Sequence, residues 1–341
     1  MIPATTEDVL ELIDAHLVSA ALGTALELGL FWQLSDRQMD PDEIANELGI
    51  PSNRCRHWLQ LLSKTGLIEQ VSGRYRTSST GQTAIMAAYS RESWALLASE
   101  SRERFPAVLD LALRIREPGS VWAAQGRAEP DYYDNIVQRP DWARRFTHML
   151  YEFHAPLADV LARHLDMDGM HRLMDLGGGS GVVSLAFLRR HPDLSAVVLD
   201  TANVCVAGRE IAAENSMGDR ISYQPVDLLE DDLPTGFDVA LECDVGLHVA
   251  EFLGKVRSAL NPGGRLIIVD KFAPAEGFAP PSRVHWAFAG SLANPDSAYA
   301  TVAETEEVLA RAGFRLLGNY PLPQRDPVRW SEDWTVIEAG K

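Results

Sequence analysis

The sequence predicts an α/β protein in which a smaller helical region precedes a larger domain built on a mostly parallel β-sheet. Three observations lead to this fold class. The chain has 341 residues, about twice a typical domain of ~150 residues. Apolar residues recur at helical spacing over the first ninety residues, and from about residue 170 short β-prone runs alternate with helical ones. Such alternation is typical of βαβ units, whose helices cover both faces of a parallel sheet.

Composition and charge narrow the classes of function. The 31 basic residues face 48 acidic ones, a net charge of -17 that repels nucleic acids and anionic membranes. No uncharged apolar run reaches the ~18 residues of a membrane-spanning helix, and acids near the start argue against a signal peptide. The three cysteines lie too far apart in sequence for a zinc motif or a disulfide framework. We therefore expect a soluble, cytoplasmic protein that binds neither nucleic acid nor a membrane.

Residues 1–90 show the element order of a winged helix. A helix begins near Thr5, two more are predicted over residues 40–49 and 51–66, and two short strands flank Ser72 and Gly73. Winged helices often bind DNA, but this segment carries six basic against eleven acidic residues. Its first helix is apolar on more than one face. The segment is therefore predicted to be a packing or dimerisation domain, and the protein a homodimer.

Residues 91–165 are predicted to form a helical linker that also serves as a substrate lid. The segment is rich in aromatic side chains, which either pack in a core or line a site for a flat apolar ligand; the sequence leaves both open. They are Trp122, Tyr132, Tyr133, Trp142, Phe146, Tyr151 and Phe153.

Residues 166–341 are predicted to form the sheet domain, with seven strands. Most of the first six strands are separated by helical runs, among them AEFLGKVRSALNPGG after the fourth strand. No helix is predicted between the last two strands, RLLGNY and WTVIEAG, so we expect an antiparallel hairpin whose final strand runs against the others. The strands are HRLMDLG, LSAVVLD, ISYQPVD, FDVALECD, RLIIVDKFA, RLLGNY and WTVIEAG.

A glycine-rich loop, DLGGGSG, lies directly between the first of these strands and its helix. Glycines there allow a tight turn and let a ligand approach the backbone closely. The pattern is GxGxG, with Gly177, Gly179 and Gly181. A dinucleotide loop, GxGxxG, would need its third glycine at Val182. A Walker phosphate loop is also excluded, because no Gly-Lys-Ser/Thr follows.

Three acids follow three successive strands of the same domain. Asp175 ends the first strand, Asp200 the second and Asp227 the third. An acid at Asp200 can accept hydrogen bonds from both hydroxyls of a ribose. Each acid alone could cap a turn, but together with the glycine loop they predict a nucleoside-binding site at the carboxyl ends of the strands.

These motifs resemble the class I S-adenosylmethionine (SAM) methyltransferases, and within them the small-molecule O-methyltransferases of the caffeate, hydroxyindole and phenazine type. LMDLGGGSG resembles the SAM loop, VVLD the ribose-binding strand and LNPGGRLIIVD the fifth strand. The resemblance covers nearly the whole chain. It implies a Rossmann-like seven-stranded sheet, SAM as cofactor, and an N-terminal winged helix that dimerises. The residues it implies as SAM contacts are Asp175, Gly177, Gly179, Asp200, Asp227, Leu228 and Cys243.

The same resemblance implies an acceptor site. RRFTHML is similar to a helix that touches cofactor and substrate, which makes Phe146 and Met149 candidates, and His285 and Trp286 fall where the family lines its substrate pocket. Aromatic residues around this site suggest a flat apolar acceptor. They are Trp122, Tyr133, Trp142, Phe146, Trp286 and Phe288.

His248 is the candidate general base. Methyl transfer from a sulfonium is an in-line displacement that needs alignment and exclusion of water, with no metal required, and a neutral histidine can take the proton of a hydroxyl acceptor. The family places its catalytic histidine in a His-Asp-Trp segment, whereas this chain has Leu247-His248-Val249, one position away. Glu242, Asp244 and Glu251 are near in sequence, and one of them could hold the imidazole in one tautomer.

Other interpretations of the same residues stay open. His248 could begin a helix without a chemical role. His248 and His285 could instead hold a metal ion in a C-methyltransferase acting on an α-keto acid or an enol. A third interpretation is a winged-helix regulator that senses SAM, which the acidic charge disfavours.

Overall fold

The computed structural model describes residues 3–322 and 333–341. The chain divides into two compact units, Met1–Leu109 and Asp110–Lys341. The predicted boundaries at residues 90 and 165 remain a prediction, and the two units are described separately below.

The first unit consists of helices and one two-stranded sheet, in the predicted order of a winged helix. Asp40 caps α4 in a capping box with Glu43, and the helix ends at Gly49 in a left-handed conformation. The strands β1 and β2 pair antiparallel through a turn at Ser72 and Gly73, both with positive φ. The elements are α1 Thr6–Ile13, α2 Ala15–Leu28, α3 Leu30–Gln33, α4 Pro41–Leu48, α5 Ser52–Ser63, β1 Ile68–Val71, β2 Arg74–Thr77, α6 Ser79–Gly81, a π-helical turn Gln82–Met86, α7 Arg91–Glu103 and α8 Phe105–Leu109.

The first two helices of this unit expose a group of large apolar side chains. These residues are 46–65% exposed, which is unusual for a contiguous set. They are Val9, Leu10, Leu12, Ile13 and Leu17. Within the described part of the chain, no single helix has the length and apolar character to cross a membrane; α1 and α2, bent by 46°, meet that test only as a pair.

The second unit alternates strands and helices, as predicted from residue 170 onward. Its helices are α9 Leu111–Arg114, α10 Val121–Ala124, α11 Tyr132–Gln138, α12 Pro140–His164, α13 Val182–Arg190, α14 Ala202–Glu214, α15 Ala250–Ala259, α16 Val284–Ala293 and α17 Val302–Arg311, with a 3-10 turn at Pro281–Arg283. Its strands are β3 Arg172–Leu176, β4 Ser195–Asp200, β5 Ile221–Pro225, β6 Phe237–Cys243, β7 Leu260–Lys271, β8 Arg315–Pro321 and β9 Trp334–Gly340.

The seven strands form one sheet in the order β5-β4-β3-β6-β7-β9-β8. The strands from β3 to β7 are mutually parallel, while β9 lies antiparallel between β7 and β8. The predicted α/β fold with an antiparallel last strand is therefore confirmed. The connection from β8 to β9 was predicted to lack a helix, and its residues 323–332 lie outside the described residues.

One predicted element ends elsewhere in the structure. The helix predicted through Gly264 ends at Ala259, and β7 already begins at Leu260. Pro262 has no backbone N–H to continue a helix, and two glycines follow it.

Strand order determines where a ligand can bind. From β3 the chain builds the sheet outward through β4 and β5, and then returns to the other side of β3 with β6 and β7. The two crossovers leave β3 and β6 in opposite directions, which opens a crevice at their carboxyl ends. We call this end of β3 to β7 the carboxyl edge. All three predicted acids belong to it.

Candidate active site

The glycine loop forms the floor of the crevice, between β3 and α13. Gly177 has a positive φ of 60°, and its N–H donates to the carbonyl of Leu199 at 2.8 Å. A Cβ on Gly178 would lie 2.4 Å from Cγ of Asp175, so only glycine lets the loop cross directly over that carboxyl group. Around Gly179 a Cβ would meet nothing within 4 Å, which leaves the space over the loop open to a ligand.

Asp175 lies buried beneath this loop. Ser184 Oγ donates to its Oδ2 at 2.6 Å, and burial raises the pKa of the carboxyl group to about 7, with a smaller contribution from the charge of Asp200. The loop covers Asp175, so in this structure the carboxyl group supports the loop from below.

Asp200 ends β4 beside the loop. Its Oδ2 accepts from the N–H of Gly179 at 2.9 Å and its Oδ1 from the N–H of Thr201 at 2.7 Å. Burial raises the pKa of Asp200, although these hydrogen bonds act in the opposite direction. Each carboxylate oxygen has two lone pairs, so one acceptor position per oxygen is available for a diol.

The remaining predicted cofactor residues lie on either side of this pair. Asp227 is exposed after β5, and its Oδ1 caps a turn by accepting from the N–H groups of Leu229 and Glu230 at 3.0 and 3.2 Å. Leu228 is half-buried against the core on one face of the sheet. Cys243, the last residue of β6, is a free thiol whose pKa lies well above its usual value because of burial and neighbouring acids.

The predicted acceptor residues fall on two helices. On α12, Met149 is buried and Phe146 stacks on Trp142 with ring centroids 4.7 Å apart. On α16, His285 and Trp286 are exposed and their rings are 5.7 Å apart.

The other aromatic candidates differ in exposure. Trp122 and Trp142 are buried, whereas Tyr133 and Phe288 are about half exposed. The first two therefore serve the core, and the second two are accessible to a ligand.

His248 follows β6 and is almost enclosed, with 8% of its side chain exposed. Its Nε2 is 3.4 Å from Glu242 Oε2 and 3.7 Å from Asp270 Oδ2, and its Nδ1 is 3.5 Å from Thr305 Oγ1. The ring stacks on Phe272 at 5.6 Å. Of the three acids near His248 in sequence, Glu242 contacts it.

Glu242, His248 and Asp270 form what we call the acid–histidine cluster. One polar atom of each lies within 4.8 Å of the others, a spacing that can also hold a metal ion. His285, predicted as the second histidine of a metal pair, is not among the metal-ligating groups that the described residues bring to His248.

Charge controls the protonation of this cluster. Burial disfavours a charged imidazole, but the hydrogen bond to Glu242 and the charges of Glu242 and Asp270 raise the pKa of His248. Burial and the charges of Glu242 and Asp244 raise the pKa of Asp270 to about 7. The cluster therefore favours an imidazolium ion beside a carboxyl group that titrates near neutrality.

Asp244 has a different partner from the one expected. It lies immediately after β6 with a positive φ of 58°, and it accepts from Arg283 Nη2 at 2.6 Å and lies 3.4 Å from His154 Nε2. Although burial opposes it, these contacts lower the pKa of Asp244. Asp244 thus anchors the turn before α16.

Sequence reasoning missed Asp270, Gly178 and Thr305. Asp270 is the penultimate residue of β7, in the run LIIVD, so the rule that singled out the acids at the ends of β3, β4 and β5 would have found it. The contacts of Gly178 and Thr305 depend on tertiary packing that no local motif carries.

Two family models match the chain. The O-methyltransferase domain matches residues 110–315, and the O-methyltransferase dimerisation domain matches residues 10–86. The chain belongs to the O-methyltransferase family. The predicted class, a SAM-dependent methyltransferase with SAM as its cofactor, is confirmed by this membership. The two other interpretations, a metal-dependent C-methyltransferase and a SAM-sensing regulator, are not favoured by it.

Individual proteins are similar over most of the chain. A 3-hydroxy-5-methyl-1-naphthoate 3-O-methyltransferase of Streptomyces sahachiroi is 32% identical over 261 residues, 72% of each chain. The N,N-dimethyltransferase OxyT of Streptomyces rimosus is 27% identical over 328 residues, 92% of each chain. The solved structure of PigF with SAH shares the fold, with a TM-score of 0.83 at 21% identity, covering 99% of this chain and 100% of that one.

Proposed function

We propose that this enzyme binds SAM over the glycine loop and transfers its methyl group to a hydroxyl group of a small aromatic molecule. The proposed SAM contacts are Asp175 (through the loop it supports), Gly177, Gly179, Asp200, Asp227, Leu228 and Cys243. The proposed acceptor contacts are Phe146, Met149, His285 and Trp286. One observation carries the proposal: the glycine loop and Asp200 lie together at the crevice of a chain that belongs to the O-methyltransferase family.

The described residues fit SAM. The space over Gly179 is open, and both oxygens of Asp200 keep an acceptor position for a ribose hydroxyl. When bound, SAM supplies a methyl group on a sulfonium. The residues of this chain contribute orientation and exclusion of water, which account for most of the rate in an in-line displacement.

Ligand-induced stabilisation tests the cofactor site. SAM or its demethylated product at 100 times Kd should stabilise the wild type by about 2.7 kcal/mol, and NAD should not. Asp200→Ala removes two charge-assisted acceptors and should weaken binding by roughly 100-fold. Asp193→Ala is the matched control, because Asp193 precedes the same strand at its other end. A stabilising effect from NAD but none from SAM would contradict the site.

The acceptor class rests on relatives and on exposed aromatic side chains. The Streptomyces sahachiroi relative is named for transfer to the 3-hydroxyl of a naphthoate, and Trp286 and Phe288 on α16 offer accessible aromatic surface. We expect label from methyl-labelled SAM to enter hydroxynaphthoates in preference to aliphatic alcohols. NMR of the product distinguishes O- from N- and C-methylation, and a methyl group on carbon or nitrogen would disprove the assigned chemistry.

Deprotonation of the acceptor is assigned to the acid–histidine cluster. A phenol has a pKa of about 10, so a base whose pKa lies near neutrality accelerates its reaction. His248, the sequence-predicted base, belongs to this cluster together with Glu242 and Asp270.

We further propose a homodimer formed through the first unit. The dimerisation-domain match over residues 10–86 and the exposed apolar side chains of α1 and α2 support it. Light scattering should give twice the chain mass of 37.6 kDa. Ile13→Glu, which places a charge on this surface, should shift the protein towards monomer, whereas Glu11→Gln should not. A monomeric wild type at micromolar concentration would disprove the dimer.

A further inference from the structure

The segment after β6 links the glycine loop to the acid–histidine cluster. A Cβ on Gly177 would lie 2.9 Å from Val245, and a Cβ on the next residue of that segment, Gly246, would lie 3.9 Å from Asp270 Oδ2. Val245 therefore packs its side chain on the glycine loop, and the Asp270 carboxylate lies beside Gly246, the next residue of the same segment, at the border of the proposed cofactor site.

His248 is poorly placed to accept a proton from an acceptor. Nε2 faces the oxygens of Glu242 and Asp270, and Nδ1 faces the hydroxyl of Thr305. Both ring nitrogens therefore already face polar partners. The surface cleft that His248 lines is formed with residues 298–300 and α17, and none of the proposed SAM contacts lines it.

Asp270 has an oxygen free for a ligand. Oδ1 accepts from the N–H of Lys271 at 2.7 Å, whereas Oδ2 lies 3.7 Å from His248 Nε2, beyond hydrogen-bonding distance. The described residues give Oδ2 no hydrogen bond, and 15% of the side chain is exposed. Asp270 Oδ2 therefore keeps an acceptor position for a hydroxyl group.

Building on the proposed function, we propose that Asp270 is the general base of methyl transfer and that His248 is a positioning residue. The acceptor's hydroxyl proton passes to Asp270 Oδ2. The acceptor oxygen's electron pair then forms the C–O bond while the methyl–sulfur bond breaks, and that bond's electrons remain on sulfur. Asp270 afterwards releases the proton to water, so each turnover yields one proton, the methyl ether and the thioether product.

The electrostatics of the site agree with this division of roles. A base acts best when its pKa lies near the working pH, as for Asp270 at about 7, while the acids around His248 raise the pKa of its imidazole. The charged and titratable groups that act on or face Asp270 are Glu242, Cys243, Asp244, His248, Lys271, Arg283 and Tyr299.

The pH dependence of kcat/KM, measured with the hydroxynaphthoate that is methylated fastest, tests the proposal. Wild type should lose activity as pH falls through about 7. We call this loss of activity at low pH the acid limb of the profile. Asp270→Asn should reduce kcat by roughly 10²–10⁴-fold and remove the acid limb, with SAM affinity retained. The loss should be smaller for acceptors of lower pKa, which need less help to ionise.

Two conservative variants distinguish the base from its neighbours. The charge of His248 lowers the pKa of Asp270 and that of Glu242 raises it. His248→Gln should therefore reduce kcat less than Asp270→Asn does and move the acid limb to higher pH, while Glu242→Gln should move it to lower pH. Asp168→Asn, an exposed acid before β3, is the control and should change neither rate nor limb.

Three results would overturn the assignment. If His248→Gln removes the acid limb while Asp270→Asn keeps it, His248 is the base. If both variants retain wild-type rates, neither group takes the proton. If a chelator abolishes wild-type activity and the pure protein contains a metal that Asp270→Asn loses, the cluster is a metal site.

A second measurement does not depend on turnover. Carboxyl carbons of ¹³C-aspartate-labelled protein, bound to the demethylated cofactor, should show signals titrating near pH 7, one of which disappears in Asp270→Asn. The signal that remains should disappear in Asp175→Asn. Absence of an Asp270 signal near pH 7 would overturn the proposal. A protein that shows the signal and binds SAM, but methylates no acceptor, would instead contradict the proposed function.

Discussion

The two halves of the carboxyl edge hold their acids in different ways. On the half formed by β3 and β4, backbone N–H groups hold both oxygens of Asp200. On the half formed by β6 and β7, Glu242 and Asp270 each accept one backbone N–H, from Gly246 and Lys271, and in addition both face the ionisable side chain of His248. Backbone donors are fixed in place and do not titrate, whereas a buried cluster of side chains can gain and lose protons.

This difference corresponds to two tasks in one reaction. A cofactor of constant shape and charge is best bound by rigid backbone groups, since its binding requires no proton movement. We call the glycine loop together with Asp200 the cradle. An acceptor that must lose a proton requires a group whose protonation changes near the working pH. Each prediction below perturbs one of these two halves and measures the property assigned to it.

The largest effect is expected for Gly178→Ala, which disrupts the cradle. The added Cβ would overlap the Asp175 carboxyl group, which Ser184 holds in place, so the loop must move. We expect loss of measurable SAM binding by calorimetry, together with a lower melting temperature.

Gly254→Ala is the matched control for this substitution. Gly254 lies inside α15 with no atom within 4 Å of its Cβ position, and alanine in a helix should stabilise the protein by about 0.5–1 kcal/mol. Normal SAM affinity in Gly178→Ala would show that the loop tolerates a side chain, and the rigid-cradle interpretation would then be wrong.

Asp175→Asn is expected to have an intermediate effect, on stability. Burial raises the pKa of Asp175 from 3.8 to about 7 in the folded state. Between these values the unfolded chain has released a proton that the folded chain retains, so the free energy of unfolding falls as pH rises, by on the order of 4 kcal/mol at most. The neutral amide should remove this loss.

Urea denaturation from pH 4 to pH 8 measures this difference. The stability of Asp175→Asn relative to wild type should increase up to about pH 7 and then stay constant. Asp193→Asn should follow wild type throughout. If the difference in the free energy of unfolding between Asp175→Asn and wild type does not change with pH, Asp175 does not titrate in the folded protein.

The same two halves differ in how far sequence predicted them. The cradle was predicted because its parts are local: the glycine loop follows β3 directly, and Asp200 ends the next strand. The acid–histidine cluster joins residues 242, 248 and 270, from separate segments of the chain, and only His248 was predicted as a site residue. Which acid contacts His248 depends on side-chain directions that spacing along the chain does not determine.

The smallest effect is expected for Thr305→Val, which probes the other side of His248. Thr305 is buried on α17, and its Oγ1 is 3.5 Å from His248 Nδ1, too long for a strong hydrogen bond. Its loss should slightly disfavour the imidazolium, so that Asp270 experiences less neighbouring positive charge. We expect kcat to change by less than about 3-fold and the acid limb to move slightly to higher pH, in the same direction as in His248→Gln.

Thr301→Val separates this effect from helix stability. Thr301 caps the same helix through a capping box with Glu304, so its loss should cost about 1 kcal/mol of stability without moving the acid limb. A rate loss in Thr305→Val as large as that in Asp270→Asn would mean that the Nδ1 side of His248 takes part in proton transfer. The acid–histidine cluster would then include Thr305 on α17, and His248 would relay the proton as well as position Asp270.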